Sequence, residues 1–335
     1  MITEHEYYSL QALHTFRMNI QADRYISVTA EEEILPALGK AGSSKILILG
    51  GGSNVLFSGN FHGVILHPLM KGIRVVKRSD DFVWLNAKAG EVWDDLVSYA
   101  VNNGFYGLEN LSLIPGHVGA SPIQNIGAYG IEAKDAIESV RFLNLNTRKF
   151  EELSNVQCGF GYRDSIFKHE LKNKILITDV TFRLSLNERY SLDYGSIKEE
   201  LKKHSGVNLK TVRTAIIDIR TSKLPDPAAI PNAGSFFKNP VVSLSHYHTL
   251  LEKYPDIPHY KNSETEVKIP AAWLIEKCGW KGYRVKDAGV HVNQPLVLVN
   301  YGNASGQEVV ALAQNIIRSV EEKMKIRLEM EVNMI

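Results

Sequence analysis

The chain has 335 residues and only two cysteines, Cys158 and Cys278, which provide neither a disulfide framework nor a Cys-x-x-Cys pair. No apolar run approaches the roughly 20 residues that a membrane-spanning helix requires. Lys and Arg number 38 against 37 Asp and Glu, and a net charge of +1 excludes a global field for nucleic acid or anionic membrane. Repeats and low-complexity tracts are lacking. The opening residues, Met-Ile-Thr-Glu-His-Glu-Tyr-Tyr, have no basic segment followed by an apolar one, so no secretory leader is expected. A soluble cytoplasmic protein with free thiols is the expectation, without membrane, nucleic-acid or metal partners. Hydrophobic residues make up 44%, enough for two or three domains with their own cores.

What the chain does have is glycine in concentrated places. Ile114 to Gly130 carries glycines at 116, 119, 127 and 130 and prolines at 115 and 122, which forbid a long helix. Its interleaved Ile114, Val118, Ile123, Ile126 and Tyr129 make it too apolar for a disordered linker. Two readings fit: a nest of backbone N–H groups for an anion, or a tight packed crossover. A second loop, Gly50-Gly51-Gly52-Ser53-Asn54, follows the strand-like run Lys45–Leu49. Val55 stands where a dinucleotide fingerprint needs its last glycine, and no Gly-Lys-Ser/Thr follows. Two such loops without a nearby lysine suggest a large diphosphate cofactor held mainly by backbone.

Hydrophobic periodicity places a helix over 30–38, paired strands over 73–76 and 82–85, and an amphipathic helix over 91–103. Val92, Leu96, Val97, Ala100 and Val101 form the stripe of that helix, and Gly104 stops it. Strands are expected over 139–144 and 175–184, and helices near 195–203 and over 211–221. The break Lys223-Leu224-Pro225-Asp226-Pro227 marks a domain boundary. Beyond it come a helix over 271–278, strands over 290–292 and 296–300, a long helix over 306–325 and a final strand over 326–332.

Three groups carry chemistry: Gly161-Tyr162-Arg163-Asp164-Ser165, Asn232-Ala233-Gly234-Ser235-Phe236-Phe237-Lys238-Asn239-Pro240, and Leu328-Glu329-Met330-Glu331-Val332. With the two glycine loops, and in this order over nearly the whole chain, they resemble the UDP-N-acetylenolpyruvoylglucosamine reductase family, type I branch. The resemblance implies an α+β protein. Its FAD-binding fold, of the vanillyl-alcohol-oxidase/PCMH type, would have two subdomains, 1–72 and 73–222. An α+β substrate-binding domain over 223–325 and a C-terminal strand over 326–335 carrying Glu331 would follow. It implies NADPH-dependent reduction of UDP-N-acetylglucosamine enolpyruvate to UDP-N-acetylmuramate in peptidoglycan precursor synthesis, by a monomer with non-covalent FAD. Hydride would come from flavin N5.

The same resemblance implies roles. Ser235 would be the proton donor to the enolate carbon, Arg163 a clamp on the substrate carboxylate, and Glu331, near Arg163, a second hold on that carboxylate as a neutral acid that donates a hydrogen bond. Gly50, Gly51, Gly52, Ser53, Asn54, Pro115, Gly116, Gly119, Ser121, Pro122, Ile123, Asn125, Gly127 and Ala128 would contact the cofactor. Tyr129, Tyr194, Arg220, Lys223, Asn239, Tyr260, Lys268 and Gln294 would contact the substrate. Met330 stands where the family often has proline, and His117 occupies a variable position of the flavin loop. Each residue alone also has a plain reading: Arg163 as a turn arginine paired with Asp164, Ser235 as a cap, Glu331 on a solvent-facing edge strand. An FAD-dependent oxidase of the same superfamily is the alternative function.

Overall fold

The computed structural model describes residues 2–335, which form two compact units. The first comprises the segment ending at Tyr8, Ala22–Gly52 and His62–Ser222; the second comprises Ser9–Gln21, Ser53–Phe61 and Lys223–Ile335.

In the first unit, Ile46–Ile48 pairs in parallel with Phe61–Pro68, Ile46 opposite Val64, within a four-stranded sheet. A five-stranded antiparallel sheet runs in the order Phe150–Ser154, Ile137–Asn144, Ile175–Ser185, Phe82–Lys88, Ile73–Arg78. Phe82–Lys88 and Ile175–Ser185 are read correctly as strands because alternate or continuous apolar residues such as Val83, Leu85, Val180 and Phe182 are fully buried. The amphipathic helix spans Trp93–Asn102 and buries Trp93, Leu96, Val97, Ala100 and Val101. Val92 precedes it in extended conformation and is 36% exposed, so the stripe begins at Trp93 and not at Val92. Trp93 is anchored by its indole N–H, which donates to the Leu111 carbonyl at 2.9 Å.

In the second unit, an antiparallel sheet is ordered Asn232–Ser235, Val297–Asn300, Ala288–Val290, Arg284–Val285. A smaller sheet joins Val241–Ser243, Glu266–Lys268 and Tyr260–Lys261. The long helix Gly306–Met324 is opened by a capping box, in which Ser305 Oγ accepts from Glu308 N and Glu308 Oε2 from Ser305 N. Its first residue must be glycine, because a Cβ there would lie 1.8 Å from the Phe57 carbonyl oxygen. A helix over Leu244–Lys253 escapes the periodicity reading because only Tyr247 and Leu250 of it are buried.

The expected strand over 326–332 is a correction. Ile326, Leu328 and Val332 are buried at near-alternate positions, which imitates a strand. The segment instead makes a single bridge, Met330 opposite Phe237, and strand pairing resumes only at Asn333–Met334, parallel to Val55–Leu56. Glu331 therefore lies in an extended connection and not on a C-terminal strand.

Candidate active site

The two glycine loops touch each other in the first unit. A Cβ on Gly51 would sit 2.8 Å from the Gly116 Cα, and one on Gly119 would sit 2.6 Å from the Ala89 Cβ. Close packing therefore accounts for these glycines. Gly50 differs: its nearest protein neighbour would be in ordinary contact at 3.5 Å. Among the described residues, the amides of Gly50, Gly51, Gly52, Gly116 and His117 meet no backbone acceptor. The loops thus pack as a crossover, and these N–H groups are left without a backbone acceptor, as the anion-nest reading requires. A diphosphate fits such a nest, and with it the expected FAD.

The remainder of the loop from Ile114 to Gly130 is tied down by its own groups. Ser121 Oγ donates to the Val118 carbonyl at 2.7 Å. Asn125, wholly buried, donates from Nδ2 to Glu132 and to the Gly161 carbonyl and accepts the Lys134 amide at Oδ1. Its side chain joins the loop to the turn that presents Arg163. Asn125, Tyr129 and Arg163 have φ of +44°, +50° and +54°, left-handed values that a tyrosine or arginine adopts at a cost of about 1 kcal/mol or more.

Arg163 occupies a tight turn in which Gly161 and Asp164 exchange backbone hydrogen bonds. Its Nη2 donates to the Gly127 carbonyl at 2.7 Å, while Asp164 pairs with His169 at 2.8 Å. The turn arginine is thus directed into the glycine loop. Tyr129 packs edge-on against Tyr194, ring centroids 6.3 Å apart, and burial raises its phenol pKa. Burial presses the Arg220 guanidinium pKa down, against the pull of Tyr129 and Asp94, and Arg163 pushes in the same direction. Its Nε is buried with no hydrogen-bond partner. Asp94 is committed elsewhere: Arg213 clamps it with two contacts of 2.8 Å, and it accepts the Leu113 amide at 2.6 Å. Burial opposes the Asp94 charge, yet Arg213 and that amide hold its pKa below the usual value.

Three positioning residues were invisible in the sequence: Asp94, Arg213 and Asn110. Asn110, buried, donates to the carbonyls of Tyr129 and Ser191, which ties the loop end to the segment of Tyr194. Nothing in the local spacing announces these long-range partners.

In the second unit, Ser235 ends the strand Asn232–Ser235 opposite Val297. Gly234 before it has φ +69°, and its amide is held by Asn232 Oδ1 at 2.8 Å. No atom lies within 4 Å of a Cβ at Gly234, so backbone conformation alone demands glycine there. Phe236 and Phe237 are fully buried, edge to face at 5.2 Å. Glu331 N donates to the Phe236 carbonyl at 2.8 Å, and Lys238 N to the Glu329 carbonyl at 2.9 Å. These bonds flank Met330 and leave its own amide out of the pairing, so the segment is held without proline. Asn239 Oδ1 accepts the Ala271 amide at the start of helix Ala271–Lys277. Tyr260, exposed, stands opposite Lys268 across two strands. The Gln294 amide donates to His291 Nδ1 at 3.2 Å. Lys223 is exposed at the end of helix Leu209–Lys223.

Residues 22–149 match an FAD binding domain. Together with the paired glycine loops, this defines a flavin-dependent oxidoreductase with an FAD-binding fold. Residues 226–335 match the C-terminal domain of UDP-N-acetylenolpyruvoylglucosamine reductase. The chain is 46% identical to the UDP-N-acetylenolpyruvoylglucosamine reductase of Flavobacterium johnsoniae over 98% of both chains. It is also 46% identical to that of Bacteroides fragilis, over 98% of this chain and 99% of the other. The chain belongs to the UDP-N-acetylenolpyruvoylglucosamine reductase family. A solved structure of that reductase from Thermus caldophilus shares the fold, with a TM-score of 0.68 at 24% identity over 100% of this chain and 98% of the other. Among the described residues no helix is long and apolar enough to cross a membrane.

Proposed function

We propose that the protein reduces the enolpyruvyl ether of UDP-N-acetylglucosamine to UDP-N-acetylmuramate, with bound FAD and with NADPH as electron source, for peptidoglycan precursor synthesis in the cytoplasm. The observation that carries this reading is the row of loop amides without protein acceptors, in the part of the chain that matches an FAD binding domain. The loops around Gly50, Gly51 and Gly52 and around Gly116 and His117 would hold FAD, which would supply the hydride-transfer chemistry between NADPH and the enolpyruvyl group.

The other tasks fall to side chains. Arg163 offers a planar, permanently charged fork to the substrate carboxylate. Arg220 adds a second guanidinium, whose Nε is buried without a hydrogen-bond partner. Ser235 gives a proton to the carbon beside the carboxylate as charge builds there, and Glu331, as a neutral acid, donates a hydrogen bond to that carboxylate. Tyr129 and Tyr194, with Lys223, Asn239, Tyr260, Lys268 and Gln294, hold the sugar and the diphosphate. Addition of one hydride and one proton across the double bond balances the reaction.

The test is an anaerobic stopped-flow record of flavin absorbance. NADPH should bleach the protein, and the enolpyruvyl substrate should then restore the oxidised spectrum without oxygen. A bleached flavin that only oxygen restores would defeat this reading in favour of an oxidase.

A further inference from the structure

Helix Ile197–Leu201 and the turn after it face helix Leu209–Lys223 across a small core of Ile197, Leu201, Val212, Ala215, Ile216 and Ile219. On this hairpin the ligating atoms of Glu200, His204 and Asp218 all lie within 4.8 Å of one another. Glu200 and His204 are four residues apart, and backbone bonds from Lys203 N to Glu200 O and from His204 N to Leu201 O continue the helical winding between them. Asp218 comes from the other helix, and its Oδ2 is 3.4 Å from His204 Nε2.

We propose that Glu200, His204 and Asp218 form a binding site for one divalent cation of the zinc class, which clips the two helices together. In tetrahedral coordination with bonds of about 2.0–2.1 Å, ligand atoms stand about 3.3–3.4 Å apart, the His204–Asp218 separation. His204 Nε2 is shielded from solvent and makes no hydrogen bond, although the Asp218 carboxylate is so near. The nitrogen thus lies within 4.8 Å of both carboxylates and is engaged by neither in a hydrogen bond. Two carboxylates and an imidazole nitrogen match a dipositive ion, and the imidazole selects zinc-class metals over Mg²⁺ or Ca²⁺. Lys203 Nζ now sits 2.8 Å from Glu200, an exposed i,i+3 pair that is cheap to displace.

The consequence for the rest of the unit is mechanical. Asp218 lies half a turn before Arg220 on one helix, and Tyr129 packs against the same small core. A core of six buried side chains gives the hairpin little apolar area, so a cross-link there would fix the helix that carries Arg220.

The experiment uses the untagged, FAD-bound full chain, stripped of metal with a chelator and titrated with Co²⁺ and then Zn²⁺. One equivalent of Co²⁺ should bind with the intense visible bands of a four-coordinate ion, and Zn²⁺ should bleach them by displacement. Saturating Zn²⁺ should raise the melting temperature by about 3–6 °C. His204→Ala and Asp218→Asn should each weaken Co²⁺ binding at least tenfold while melting like the parent in chelator. Should His204→Ala fail to fold, Asp218→Asn decides alone. Absence of saturable Co²⁺ binding, or binding that both variants retain, would overturn the site. A melting temperature indifferent to Zn²⁺ would overturn the clip and leave His204 as a plain partner of two carboxylates.

Discussion

The side-chain amide of Asn54 donates to the backbone carbonyl of Glu331 at 3.2 Å, across 277 positions of sequence. Asn54 returns the contact through its own carbonyl, which accepts the Asn333 backbone and side-chain amides at 3.1 and 3.0 Å. The residue that ends the glycine triplet loop thereby sets the backbone of a candidate catalytic carboxylate. Asn54→Ala should cost about 1 kcal/mol of that positioning, seen as a fall of roughly fivefold to tenfold in flavin reoxidation by the enolpyruvyl substrate. Bleaching by NADPH should fall less than reoxidation in the same stopped-flow record.

Ser235 offers the hydroxyl assigned to proton donation. Ser235→Ala should leave flavin reduction by NADPH intact and slow reoxidation by about 10² to 10³. Equal losses in the two half-reactions would remove Ser235 from the proton-transfer role.

Arg163 donates from Nη2 to the Gly127 carbonyl, and in the proposed function its fork would also meet the substrate carboxylate. Lysine keeps the charge and loses the fork. Arg163→Lys should therefore lower the substrate half-reaction by about 10², and single-turnover kinetics with pre-reduced flavin would measure it. A variant with parental rates would exclude a bidentate role.

Gly50 and Gly51 differ in what a side chain there would meet. At Gly51 a Cβ meets the Gly116 Cα at 2.8 Å, so Gly51→Ala should destabilise the FAD-free protein by about 1–3 kcal/mol. At Gly50 it meets the Ala120 Cβ at 3.5 Å and the His117 Cβ at 3.9 Å, both ordinary contacts, so Gly50→Ala should leave the FAD-free protein as stable as the parent. FAD affinity should nevertheless fall in that variant if the amide row is the diphosphate cradle. Urea unfolding without FAD and fluorescence titration with it distinguish the two.

His67 in the first unit and His14 in the second are buried, and burial lowers each pKa from 6.5 to about 4. As pH falls below 6.5, the unfolded chain takes up protons that the folded chain refuses. Stability is therefore complete above pH 6.5 and is lost toward pH 4, by about 3 kcal/mol per histidine at the limit. His67→Gln and His14→Gln should each flatten the slope of urea midpoints over that window. An unchanged slope would show that other groups govern acid unfolding.

Much of this fold was legible because its signals are local. Trp93–Asn102 and Gly306–Met324 each carry an apolar stripe in helical period and a recognisable start or stop, so they were found to within a few residues. The failures are equally physical. Ile326, Leu328 and Val332 bury themselves at near-alternate positions, yet a strand also needs a partner, and Phe237 supplies only one bridge. Leu244–Lys253 buries too little for its period to show.

The sequence by itself determined the candidate site's chemistry: the glycine loops, the turn around Arg163, and Ser235 between a glycine and two phenylalanines. Each rests on residue types and short spacings, which act over a few bonds. Tertiary structure decided how those groups are held. Asn125 binding the Arg163 turn, Asp94 gripped by Arg213, Asn110 tying Tyr129 to the Tyr194 segment and Asn54 meeting Glu331 all join distant parts of the chain. Short polar side chains such as these carry no periodic signature. Their partners exist only after the backbone has folded, because a buried amide or carboxylate must then be satisfied by whatever lies beside it.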